Sequence, residues 1–166
     1  MRAFLAIDLP DHLVDKMVEL QQELKDPCIK PIERQNIHLT VNFLGEVSEG
    51  EIKEIVDKLR AAKLEKTEIS VKGIGVFPSQ EYVRVIWIGA HGAEKLAKAT
   101  DFTGEASNKA HFTIARVKCK TDVNKFLYRH KDLDLGTFTA TELVLYGSVL
   151  EEAEPIYTKK EIIRLL

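Results

Sequence analysis

Cysteine is scarce in this chain: Cys28 and Cys119 are the only two among 166 residues. Two cysteines cannot build a disulfide framework, and alone they cannot complete a tetrahedral zinc site. The simplest expectation is a pair of free thiols in a reducing compartment. An excess of either charge is also lacking. A formal net charge of -2 argues against a broad, charge-driven grip on long nucleic acid, while leaving room for a small basic pocket. Long apolar runs are missing too. No segment approaches the roughly 18 residues needed to cross a bilayer. The apolar stretch in MRAFLAIDLP is too short for a signal-peptide core, and Asp8 interrupts it. These absences together lead us to expect a cytoplasmic protein with no membrane partner.

Hydrophobic residues make up 45% and charged residues 30%, the balance of an ordinary globular chain. No linker or low-complexity stretch divides it, and 166 residues fit one domain or two small lobes sharing a core. Residues 2–9 read as a strand closed by Pro10. Leu13, Val14, Met17, Leu20 and Leu24 make the apolar stripe of a helix over 11–25, ended by Asp26-Pro27. A short extended piece, CIKPIE, comes next. Residues 36–43 alternate: Ile37, Leu39, Val41 and Phe43 face one way, Asn36, His38, Thr40 and Asn42 the other, until Gly45 breaks the strand.

Ser48 and Glu51 form a capping box for a helix bearing Ile52, Ile55, Val56 and Leu59. Strands at 67–77 and 81–89 form a hairpin through Pro78-Ser79-Gln80, and the second is apolar enough on both faces to expect cover on both. A short helix at 93–99, a loop at 101–110, a strand at 111–118, a helix near 121–131 and strands near 137–147 and 155–164 complete the pattern. Elements mixed without strict alternation point to an α+β fold.

Two short motifs carry chemistry: His38-Leu39-Thr40-Val41 and His111-Phe112-Thr113-Ile114. A single H-x-T match is weak, but two with apolar residues at matching offsets are less easily accidental. In a strand, residues i and i+2 share a face about 7 Å apart. Each motif therefore offers an imidazole and a hydroxyl side by side, with the intervening residues turned inward. Two such strands across a cleft suit phosphodiester hydrolysis. One imidazole takes a proton from water and the other gives one to the departing oxygen, while hydroxyls hold the phosphoryl oxygens. Arg116 is a candidate cation, yet strict alternation puts it on the opposite face from His111. It reaches the site only if the strand twists, bulges or ends near Ala115.

The paired H-x-T motifs, with MRAFLAIDLP, HLTVNFLGEV, KGIGVFPSQEYVRVIWIG and HFTIARVK in that order, resemble the 2H phosphoesterase superfamily. Within it the chain resembles the RNA 2',3'-cyclic phosphodiesterase family, also called 2'-5' RNA ligases. The resemblance implies a bilobal 2H phosphoesterase fold, with two pseudo-symmetric lobes of antiparallel sheet and helices around a central cleft. It implies metal-independent, cofactor-free hydrolysis of an RNA terminal 2',3'-cyclic phosphate to a 2'-phosphomonoester by a monomer. It also links the chain to reversible 2'-5' joining of tRNA halves. His38 would be the proton donor to the leaving 3'-oxygen and His111 the base activating water. Thr40, Thr113 and Arg116 would hold the phosphate. The chain departs from the family pattern in two places: Ala110 stands where Pro often precedes the second motif, and the segment between Gly89 and His111 is short.

Simpler roles stand beside these. His12, His91 and His130 lack motif partners and are expected at the surface or satisfied in the core. No Cys or carboxylate is spaced to complete a zinc site on the motif histidines. Trp87 and Tyr82 have rings that suit base stacking, but core packing is their simpler role. Two other functions fit the motifs: a non-catalytic module of the same fold that binds nucleotides or RNA ends, and a phosphodiesterase acting on a small cyclic phosphate.

Overall fold

A computed structural model of the chain describes residues 1–102, 110–150 and 155–166. Nine strands and four helices are present among them: β1 (Arg2–Asp8), α1 (Asp11–Gln21), β2 (Ile29–Pro31), β3 (His38–Glu46), α2 (Glu49–Ala61), β4 (Thr67–Pro78), β5 (Val83–His91), α3 (Glu94–Ala99), β6 (His111–Val117), α4 (Asn124–Arg129), β7 (Asp134–Ala140), β8 (Glu142–Leu150) and β9 (Pro155–Arg164). The strands form two antiparallel sheets, ordered β3-β1-β8-β9 and β2-β6-β5-β4-β7. The α+β expectation holds.

The helices tie the sheets together. α1 comes after a strand of the first sheet but packs on β6 of the second, and α3 comes after a strand of the second but packs on β3 of the first. One large apolar core draws on both sheets and on these helices, with Leu5, Met17, Leu39, Ile86, Ile88, Phe112 and Leu143 fully buried. Each such side chain contributes about 1.5–3 kcal/mol relative to exposure. The α2 capping box forms as expected: Glu51 N donates to Ser48 Oγ at 3.2 Å and Ser48 N to Glu51 Oε1 at 3.3 Å.

Several local expectations are corrected. The first helix stops at Gln21, because the chain tightens into three-residue turns, Glu23 N to Leu20 O and Leu24 N to Gln21 O. Leu24 stays buried beyond the helix end. Gly45 does not end its strand. With φ at +73° it lets β3 run on to Glu46 past a skipped Leu44. The strand expected over 137–147 is two strands parted at Thr141, in different sheets. Most of the loop expected over 101–110 falls on residues 103–109, outside the described residues.

Cys28 and Cys119 are joined in a disulfide, not free. The pairing of Ile29 with Val117 brings the residues just outside β2 and β6 together, across a sequence separation of 91. No helix among the described residues is long and apolar enough to cross a membrane.

Candidate active site

The inner faces of the two sheets border a cleft of about 1080 Å³, and both motifs open onto it: His38, Thr40, His111, Thr113 and Arg116 all line its walls. β3 and β6, which carry them, touch across the molecule. Strand alternation accounts for the His and Thr of each motif. A repeated irregularity accounts for the residues beyond each Thr.

In the β1–β3 ladder, Ala6 pairs with Thr40 and Leu5 with Asn42, so Val41 is skipped. In the β5–β6 ladder, Trp87 pairs with Thr113 and Ile86 with Ala115, so Ile114 is skipped. The two bulges occupy the same place, immediately after the Thr of each motif. A bulge puts two consecutive residues on one side and reverses the alternation beyond it. Ile114 and Ala115 are accordingly both fully buried, and Arg116 turns to the cleft opposite Val85, on the face shared by His111 and Thr113. Strict alternation had placed it on the other face. The same reversal corrects the reading of the first motif strand. Phe43, expected in the core, pairs with Phe4 on the cleft face and is 67% exposed. Asn42, expected beside His38, is buried. It borders the cleft but gives its amide to Ala97 O at 2.7 Å and to Thr100 Oγ1 at 2.8 Å, at the end of α3.

The second bulge is held by a matching contact from α1. Gln21 Nε2 donates to Ile114 O and to Ile32 O, each at 2.8 Å, and Ile32 N donates to Ile114 O at 2.9 Å. Gln21 is 5% exposed. A buried amide making two such bonds fixes the backbone it grips, because leaving it unpaired costs about 1–3 kcal/mol. Sequence reading missed Gln21. The one signal available was its place at the edge of the α1 apolar stripe.

His38 sits in an aromatic box. Phe4 and Tyr146 stack on it, each with ring centroids 5.2 Å away, and Tyr157 meets it edge-on at 5.2 Å. Its Nδ1 is buried with no hydrogen-bond partner among the described residues. Burial lowers its pKa to about 4, against a smaller upward pull from the Asp8 carboxylate on the paired strand. Asp8 accepts a bond from Tyr146 Oη at 2.6 Å and an ion pair from Lys159 at 2.9 Å. Burial, then the Asp8 contact, raises the Tyr146 phenol well above its ordinary range, so it serves as a donor and not an anion. Burial likewise raises Tyr157, partly offset by the Arg116 charge. Asp8 was legible in hindsight as the polar member of the Phe4, Ala6, Asp8 alternation. Tyr146 and Tyr157 were not, because their placement depends on register across β1, β8 and β9.

His111 stands in a different setting, edge-on to Phe77 at 5.1 Å, with Trp87 at 6.3 Å. Trp87 is not a core residue. Val85, Trp87 and Gly89 face the cleft while Ile86 and Ile88 face the core, so the second face of β5 is cleft wall, not packed surface. Trp87 lies over Gly75, where an added Cβ would come within 2.2 Å of its ring. Tyr82 is 55% exposed and lies under the Arg84 guanidinium. His91 lines the cleft rim, while His130 pairs with Glu23 at 2.9 Å. Lys30, opposite Arg116 in the β2–β6 ladder, and Lys72 also line the cleft. Glu33 and Glu94 line the cleft as well, so its cations exceed its carboxylates only narrowly. Among the described residues, no three His, Cys, Asp or Glu side chains are grouped to hold a metal ion.

Comparison with known proteins agrees with this architecture. The family model "LigT like Phosphoesterase" matches residues 7–87. An RNA 2',3'-cyclic phosphodiesterase of Methanocaldococcus jannaschii is 38% identical, over 95% of this chain and 96% of that protein. One from Methanothermobacter thermautotrophicus is 35% identical over 99% of each. Among solved structures, a Thermus thermophilus protein superimposes with a TM-score of 0.84 at 27% identity, covering 99% of this chain and 98% of that one. Escherichia coli LigT shares the fold, with a TM-score of 0.80 at 23% identity over 99% and 97% of the two chains. The two motifs, their shared cleft and full-length similarity at this level have one meaning: the chain belongs to the RNA 2',3'-cyclic phosphodiesterase family of LigT-like phosphoesterases.

Proposed function

We propose that this protein hydrolyses the 2',3'-cyclic phosphate at an RNA 3' end to a 2'-phosphomonoester. The observation that carries the reading is the convergence of two imidazoles and two hydroxyls, from β3 and β6, on one cleft. Thr40, Thr113 and Arg116 hold the phosphoryl oxygens. A water oxygen attacks phosphorus and passes its proton to His111. The bond from phosphorus to the 3'-oxygen breaks, and that oxygen takes a proton from His38. With its pKa near 4, His38 is neutral in the empty cleft at neutral pH. The arriving phosphate anion reinforces Asp8 and draws a proton onto the ring, so the donor is charged with substrate in place.

Side chains supply every group this sequence of events needs, and one chain supplies all of them. That supports a metal-independent, cofactor-free monomer. If a 5'-hydroxyl replaces the attacking water, the same displacement yields a 2'-5' bond, the chemistry of joining tRNA halves. An RNA substrate supports a cytoplasmic location, while the Cys28–Cys119 disulfide is of a kind rare in that compartment outside hyperthermophiles.

The deciding assay incubates the protein in excess EDTA with an RNA ending in a 2',3'-cyclic phosphate and identifies the hydroxyl that keeps the phosphate. The expected product is the 2'-phosphomonoester, with His38→Ala and His111→Ala each slower by about 10²–10⁴-fold. Binding without turnover would instead make the protein a non-catalytic module. A normal rate in His111→Ala would remove the mechanism.

A further inference from the structure

Two cations of the cleft are delivered by bulges. The bulge at Ile114 turns Arg116 inward. A third bulge, in β4, does the same for a lysine. Val71 pairs with Ala90 and Ile74 with Ile88, so Lys72 and Gly73 together oppose the single residue Gly89. Both line the cleft, and Gly73 takes the φ of +85° that such a bulge asks of one residue. Arg116 serves the cyclic phosphate, whereas Lys72 has no part in that reaction. We infer that Lys72, helped by His91, holds the phosphodiester that joins the terminal nucleotide to the rest of the RNA. The inference rests on the cyclic phosphodiesterase reading and adds the next anion of that substrate.

Gly89 is the ladder partner of His111 and puts no side chain beside it. A Cβ added there would come within 2.5 Å of the Lys72 carbonyl oxygen and 3.4 Å of His91 Nε2. The β4 backbone and the His91 ring therefore close over one point next to His111. His91 is diagonal to His111 across the ladder, and diagonal neighbours lie about 7–8 Å apart, a step on the scale of one nucleotide.

Among the described residues Lys72 makes no ion pair, so its charge is available. Glu94 also lines the cleft, but its Oε2 accepts from Gly92 N at 3.0 Å. Lys30 stands elsewhere, opposite Arg116 on β2, with Glu33 close behind it in the chain. An RNA 3' end carries two anions in succession, the cyclic phosphate and the linkage before it. Arg116 lies along β6 from His111 and Lys72 lies beyond β5 on the next strand, so each anion has its own cation. A lysine is a point charge that reads no base, so this subsite favours oligonucleotides over mononucleotides whatever their sequence.

The test compares two dinucleotides ending in a 2',3'-cyclic phosphate, one joined by a phosphodiester and one by an uncharged methylphosphonate. The upstream sugar is deoxy in both, so that the linkage is inert. In the wild type, KM is expected to be about five- to tenfold lower for the charged linkage. In Lys72→Gln that ratio falls to near one, in Lys72→Arg it is kept, and in His91→Ala it falls part of the way. For the charged dinucleotide, the slope of log kcat/KM against log salt shrinks by about 0.7 in Lys72→Gln, the value for one phosphate contact on a single strand. Turnover with a ratio of one in the wild type, or an unchanged ratio in Lys72→Gln, overturns the assignment and leaves the hydrolase reading standing. A ratio lost in Lys30→Gln and kept in Lys72→Gln moves the linkage to the other end of the cleft and overturns it too. If the wild type hydrolyses neither dinucleotide, the hydrolase reading fails first and takes this inference with it.

Discussion

Gln21 Nε2 lies 2.8 Å from the carbonyl oxygen of Ile114, the residue that the β5–β6 ladder skips. This contact fixes the bulge that turns Arg116 into the cleft. Gln21→Met keeps the volume and removes the donors. It is expected to cost about 1–3 kcal/mol of stability in urea unfolding. It is also expected to lower kcat/KM by roughly the factor that Arg116→Ala does. In the double variant the activity losses do not add, since Gln21 acts through Arg116. Full additivity in steady-state kinetics would separate the two residues.

The buried imidazole of His38 makes a prediction about acid. Its pKa is about 4 folded and near 6.5 unfolded, so between these values the unfolded chain holds a proton that the folded protein does not. Stability therefore falls as pH drops from 6.5 to 4, by up to about 3 kcal/mol from this group. Denaturant midpoints measured across that window should follow the slope in the wild type and lose much of it in His38→Phe. Because His38 acts as the proton donor, its titration sets the alkaline limb of kcat/KM, and Asp8→Asn, which removes the charge that favours the protonated ring, moves that limb to lower pH.

Trp87 is the only tryptophan and reports its own surroundings. Gly75→Ala would put a methyl within 2.2 Å of its ring carbon Cζ2 and force the indole toward the cleft. We expect a red-shifted emission, a loss of about 1–3 kcal/mol and reduced turnover. Unchanged emission would mean that the strand yields instead of the ring.

The disulfide closes a long loop. With a sequence separation of 91, chain entropy gives it roughly 4–5 kcal/mol. Reductant should lower the urea midpoint of the wild type and leave that of Cys28→Ser/Cys119→Ser unchanged. Thiol labelling of the native, unreduced protein is expected to find neither cysteine reactive.

What the sequence revealed divides at the two bulges. His38, Thr40, His111 and Thr113 were legible because alternation is a local property of a strand. Beyond Thr40 and Thr113 it misled, placing Phe43 in the core, Asn42 beside His38 and Arg116 away from His111. The reason is physical. A bulge is stabilised by its partners, here Gln21 and Ile32 on one side and the end of α3 on the other, and these lie far away in sequence. The Cys28–Cys119 bond escaped notice on the same grounds, since only the β2–β6 pairing brings the two residues together. The α+β class, the α2 capping box and the hairpin of β4 and β5 were readable because each rests on near neighbours.

The strand order has a consequence for how the protein is made. β1 leaves the ribosome long before β8, one of its two neighbours, although its Arg2–Ala6 stretch pairs with Val144–Ser148. α1, formed just after it, needs β6 to cover its apolar stripe. A nascent chain that lacks β6 and β8 can neither finish its sheet nor bury its helix, so folding waits until both have been synthesised. Exposed β1 and β3 edges during that interval are the stage at which the chain is most open to aggregation.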